Sequence, residues 1–187
     1  MSYSHIFYAV DLDRLRALAG SKDMTVYSEI ASTSESLDDD ELDALRRILN
    51  GECRSEPNTE HLYGYALKAI CDHIGEMIGE EVAAIREHPY KSKLVSNGPP
   101  IDIPYTRSDF PEIGYLDRSE LEAELQRVKS TKPKAKKTLI GFVLRKMTGG
   151  AVGREMNAED VAEDMSAYAA TLEECMDKHG SLVSFRH

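Results

Sequence analysis

Apolar residues recur along this chain mostly at helical spacing, and in short continuous or alternating runs only near its two ends. Ser4 to Val10 (SHIFYAV) is rich in aromatic and β-branched side chains and predicts a strand. Asp11 then caps a helix through Ala19, with Leu12, Leu15, Leu18 and Ala19 on one face and Gly20 as its stop. A second helix is predicted over Asp23 to Thr33 from Val26, Tyr27 and Ile30. A third starts at Asp38, where Glu41 completes a capping box and Leu37 can staple onto Leu42. Leu45, Ile48 and Leu49 carry it to Asn50-Gly51.

Thr59 opens a longer helix with a stripe of Leu62, Ala66, Ala69, Ile70 and Ile74. Gly75 and Gly79 weaken it, so a break near Gly75 is expected before a continuation to Arg86 and an end at His88-Pro89. Lys93 to Val95 predicts a short strand. Asn97 to Leu116 holds four of the seven prolines and predicts a long ordered loop. Helices follow at Ser119 to Val128 and at Ala158 to Lys178. The latter has Asn157 as its cap and Val161, Met165, Tyr168, Leu172 and Cys175 or Met176 facing inward. Between them, Leu139, Phe142, Val143 and Met147 sit at helical spacing in a stretch that reads equally well as a strand. Gly180 stops the last helix, and Ser181 to Phe185 predicts a closing strand.

Capped amphipathic helices outnumber the strand candidates, so the expected fold class is α+β: a predominantly helical single domain over residues 1–187, with a small sheet that includes the N- and C-terminal strands. A length of 187 residues suffices for a core without covalent staples. Three well-separated cysteines, Cys53, Cys71 and Cys175, with no CxxC pair, fit a reducing compartment. The opening MSYSHIFYAVDLD does not predict a secretory signal, and no apolar run reaches the roughly 18 residues of a membrane span. The expected location is the cytoplasm, with no membrane partner.

Charge changes the picture in one place. The net charge of −10 argues against nucleic-acid binding, which needs cationic surface. Residues 129–154 nevertheless carry eight of the 23 basic side chains and no acid. The other 15 face all 33 acidic residues, a balance of −18 outside that segment. The segment reads as a basic, Gly-rich connector or insertion, balanced by the acidic remainder or docked on an anionic partner.

The opening IFYAVDLDRLRALAGSKD, the central DFPEIGYL and the ending GSLVSFRH together resemble an uncharacterised bacterial family of unknown function. More loosely, the order of strand, helices, long final helix and last strand is similar to the YfbM-like proteins. The resemblance implies an α+β fold and assigns no catalytic residue.

Cys71-Asp72-His73 places a thiol, a carboxylate and an imidazole in succession. Neighbours on a helix point about 100° apart, which keeps the three from acting as one nucleophilic set. His73, Glu76 and Glu80 would share a side of a continuous helix and could hold a metal, yet Gly75 and Gly79 interrupt that face and a solvated polar surface accounts for it. Gly149 to Arg154 (GGAVGR) lacks the Lys-Ser/Thr of a phosphate loop. No metal and no cofactor are expected. The remaining candidate is a small-molecule pocket beside the proline-rich loop, walled by Tyr105, Arg107, Asp109, Glu112 and Tyr115. Its plainer counterpart is a loop anchored to the core by Phe110, Ile113 and Leu116.

Two functions follow as expectations. One is a non-catalytic binding protein whose acidic surface contacts, neutralises or regulates a basic protein partner. The other is a small-molecule enzyme using the pocket beside residues 97–116.

Overall fold

The computed structural model describes residues 4–34, 37–83, 97–106, 111–131 and 158–186. Four strands, β1 (Ser4–Ala9), β2 (Glu76–Ala83), β3 (Glu112–Leu116) and β4 (Leu182–Arg186), form an antiparallel sheet in the order β2-β1-β4-β3. The helices are α1 (Leu12–Leu18), α2 (Met24–Thr33), α3 (Asp39–Asn50), α4 (Glu60–Ile74), α5 (Arg118–Ser130) and α6 (Ala158–Lys178). The molecule is α+β, and the sheet includes the first and last elements. Among the described residues, no helix is long and apolar enough to cross a membrane.

The local signals are satisfied where they were strongest. Asp11 and Asp23 accept backbone N–H groups at the starts of α1 and α2. Asp38 and Glu41 form a capping box, and so do Asp117 and Glu120 at α5, one turn position earlier than the expected start at Ser119. Leu37 and Leu42 are half-buried against the same core. Gly51 ends α3 with φ 70, a left-handed geometry that glycine adopts without steric cost.

The sheet is packed on both sides. One face carries Tyr8, Ile113, Val183 and Phe185, covered by Leu12 and Leu15 of α1, Ile30 of α2, Leu45, Ile48 and Leu49 of α3 and Leu67 and Ile70 of α4. The opposite face carries Phe7, Ala9, Ile78, Leu116 and Leu182. Leu121, Leu125 and Val128 of α5 and Met165, Tyr168, Leu172 and Cys175 of α6 cover it. A strand's side chains alternate between faces, so Phe7 and Tyr8 belong to different cores.

Two expectations are corrected. The helix expected to continue from Gly75 to Arg86 stops at Ile74, and residues 76–83 form β2, paired with β1. Gly75 takes an extended conformation (φ −113, ψ −164). A Cβ there would lie 2.6 Å from the Ala9 carbonyl oxygen and 2.8 Å from Val10 Cγ2, so glycine is what lets the helix end touch β1. The loop expected over residues 97–116 gives way to β3 at Glu112, because β4 supplies a partner strand some 70 residues away. The expected strand at Lys93 to Val95, the stretch from Leu139 to Met147 and the GGAVGR sequence lie outside the described residues, as does the basic segment beyond Thr131.

Candidate functional site

The proline-rich segment lies against the sheet's β3 side. Pro100, Ile101 and Ile103 are buried, and Arg16 Nε donates to the Pro100 carbonyl at 3.4 Å. Tyr105 packs on the core of the α1–α4 face, and its hydroxyl accepts the backbone N–H of Ile113 at 2.9 Å. Tyr115 packs on the same core, while its carbonyl accepts Asn97 Nδ2 at 2.9 Å. Glu112 pairs in register with Arg186 and lies on the other face with Gly114 and Leu116. Of the five residues proposed as a pocket wall, Tyr105 and Tyr115 therefore share one side of the sheet and Glu112 the other. Arg107 and Asp109 lie outside the described residues.

The polar chemistry concentrates on the α5–α6 face. His5 of β1 pairs with Arg186 of β4, which pairs with Glu112 of β3, so three ionisable side chains cross one end of the sheet in a row. Arg186 Nη1 lies 2.8 Å from a Glu112 carboxylate oxygen, with only 15% and 27% of the two side chains exposed. Beyond this row, the His5 ring is 4.3 Å from Phe7, and Phe7 is 6.3 Å from Tyr168.

Tyr168 leads to a second charged group. Its hydroxyl donates to Glu124 Oε1 at 3.3 Å. Arg127 grips the same carboxylate through Nε and Nη2, each at 2.6 Å, in the bidentate geometry that suits a guanidinium. Glu124 is 7% exposed, a carboxylate taken out of water between α5 and α6. Burial, with the Glu124 charge beside it, pushes the Tyr168 phenol up and keeps it a neutral donor. The bond to Glu124 likewise pushes the Arg127 guanidinium up. The arrangement places two acid–base pairs at either side of an aromatic bridge. It fixes charge and donor direction, and each cation already faces a carboxylate.

The consecutive Cys71, Asp72 and His73 go to three different places. Cys71 is fully buried, and burial pushes its thiol up. Asp72 accepts the Tyr8 hydroxyl at 3.3 Å, while His73 Nε2 lies 3.2 Å from Glu29 on α2. The Cys175 thiol is pushed up to about 12 by burial and donates to the Ser181 carbonyl, and burial also raises Cys53. All three are thiols, not thiolates, near neutral pH. The face proposed for His73, Glu76 and Glu80 is dissolved by the end of α4, since Glu76 and Glu80 stand on β2. Among the described residues, no three His, Cys, Asp or Glu side chains come together as a metal site would require.

Sequence reasoning did not single out His5, Arg186, Glu124 or Arg127, and it placed Tyr168 facing inward without its bond to Glu124. Glu124 and Arg127 had a local signal, an acid and a base three residues apart on the helix carrying Leu121, Leu125 and Val128. His5 and Arg186 had none, because only strand register joins the two chain ends. A family model described as "Domain of unknown function (DUF7691)" matches residues 1–187, and the chain belongs to that family. No curated protein and no solved structure matches it.

Proposed function

We propose that this is a non-catalytic cytoplasmic binding protein whose acidic surface engages a basic protein partner, neutralising or regulating it. The carrying observation is the surplus of carboxylates. Among the described residues, 29 acidic side chains stand against 12 basic ones. Most of those cations face carboxylates within the molecule: Arg16 lies beside Asp13, Arg46 and Arg47 beside Asp43, Arg118 beside Glu122, Arg127 beside Glu124, Lys129 beside Glu173, Lys178 beside Glu76 and Arg186 beside Glu112. Acids remain in the open at the start of α3, where Asp38, Asp39 and Asp40 are exposed, and along α6 at Glu163 and Asp177. An acidic surplus of this kind speeds encounter with an oppositely charged protein and disfavours polyanions. The looser resemblance to YfbM-like proteins is compatible with this reading and adds no activity to it.

The test is recovery of the tagged protein from its native cells. A basic protein should co-purify and be released by salt, and its association should slow in Asp39→Asn/Asp40→Asn/Glu163→Gln protein. Recovery of the protein alone, or binding indifferent to both salt and the substitutions, would refute the proposal.

A further inference from the structure

A strand at the edge of a sheet presents a row of backbone N–H and C=O groups to any chain that can pair with them. In the described sheet β3 occupies one edge. Its two outward groups with assigned partners are the Ile113 N–H, which donates to the Tyr105 hydroxyl, and the Tyr115 carbonyl, which accepts from Asn97 Nδ2, both at 2.9 Å. Both partners come from residues 97–106, and both are side chains. That segment also carries Pro99, Pro100 and Pro104, which have no N–H to offer, so it covers the edge without itself becoming a new one. Ile101 and Ile103 hold it to the core. Gly98 turns the chain at φ 74 beside the Tyr105 ring, a conformation that L side chains rarely adopt.

The two groups that this segment occupies are among those a second copy of the chain would use. Two β3 strands paired antiparallel about Gly114 would set Ile113 of one against Tyr115 of the other. The Ile113 N–H would then meet the Tyr115 carbonyl, with a β-branched side chain opposite an aromatic one. We infer that residues 97–106 are an edge guard, in which Tyr105 and Asn97 occupy the Ile113 N–H and the Tyr115 carbonyl and prevent the pairing of β3 with the β3 strand of another copy.

Two variants of the full chain, compared with the wild type, test this by hydrogen exchange and sedimentation velocity. Tyr105→Phe removes one acceptor and leaves the ring in place. The Ile113 amide should exchange roughly tenfold faster, the loss expected for one hydrogen bond, with the sedimentation profile unchanged. Asn97→Ala/Tyr105→Ala uncovers the edge. Its sedimentation should shift, increasingly with concentration, to a species of twice the wild-type mass, and the Ile113 amide should regain protection in that species. An Ile113 amide that exchanges equally in wild type and Tyr105→Phe would overturn the inference, whatever the double variant does. So would a folded double variant that sediments like the wild type at every concentration.

Discussion

The two faces of the sheet are built from different chemistry. Toward α1–α4 the core is apolar throughout, and its hydroxyls sit at the margin: Tyr63 bonds the Arg54 backbone and Tyr8 reaches Asp72. Toward α5–α6 lie all three buried polar or charged residues of the described set, Glu124, Thr171 and Ser184, together with the row of His5, Arg186 and Glu112. An apolar core tolerates many arrangements of similar volume, whereas a buried ion pair is stable only with its partner in place. The first face therefore carries stability in bulk. The second holds α5 against α6 through a few directional bonds, and it should respond to single charge changes.

The largest expected effect removes what the faces share. Deleting the chain from Leu182 onward takes away β4, which lies between β1 and β3 and buries Leu182 and Phe185 on opposite faces. Each such side chain contributes about 1.5–3 kcal/mol, and domains are stable by only about 5–15 kcal/mol. The truncated protein should show no cooperative thermal transition. A melting temperature like that of the full chain would mean that β4 is not packed as described.

Next in size, Phe185→Ala in the apolar face should cost about 3–5 kcal/mol in denaturant unfolding, and Leu172→Ala in the other about 2–5 kcal/mol. A value near zero for either would show that its face is not a packed core. A double-mutant cycle on Glu124 and Arg127 should then give a coupling of about 0.5–3 kcal/mol. The exposed pair of Arg46 and Asp43, with 48% and 43% of their side chains accessible, should couple by at most about 1 kcal/mol. Equal couplings would erase the distinction drawn between the faces.

Alkaline pH should affect the two faces alike. Burial raises Tyr8 and Cys71 on one and Tyr168 and Cys175 on the other above their ordinary values of 10.0 and 9.0. A raised value in the folded state means that the folded chain keeps a proton which the unfolded chain releases. The resulting stability is complete below pH 9 and is lost as pH climbs through the folded values, about 12 for Cys175. Denaturation midpoints should fall steadily above pH 9, and Cys71→Ala/Cys175→Ala protein should show a later onset near pH 10. Midpoints that rise over this range would contradict the burial of these groups. Smallest of all, Lys129→Ser, which breaks the exposed pair with Glu173, should change stability by no more than about 1 kcal/mol.

The sequence by itself determined the helices and where they begin. Asp11, Asp23 and Asp38 mark their caps within a few residues, and Leu45, Ile70 and Leu172 mark their buried sides, because these signals act over one or two turns. It also marked the two terminal strands, whose runs of apolar residues are buried on both faces. Only the tertiary structure decided β2 and β3. Glu76 to Ala83 and Glu112 to Leu116 are strands because β1 and β4 are there to pair with them, and Gly75 reads as a flaw in a helix until Ala9 is placed beside it. The polar row was equally hidden, since His5, Glu112 and Arg186 become neighbours only when the two ends of the chain meet in one sheet. Capping is a local interaction, written in adjacent residues. Strand pairing and the sharing of a buried charge are settled between segments that the sequence keeps far apart.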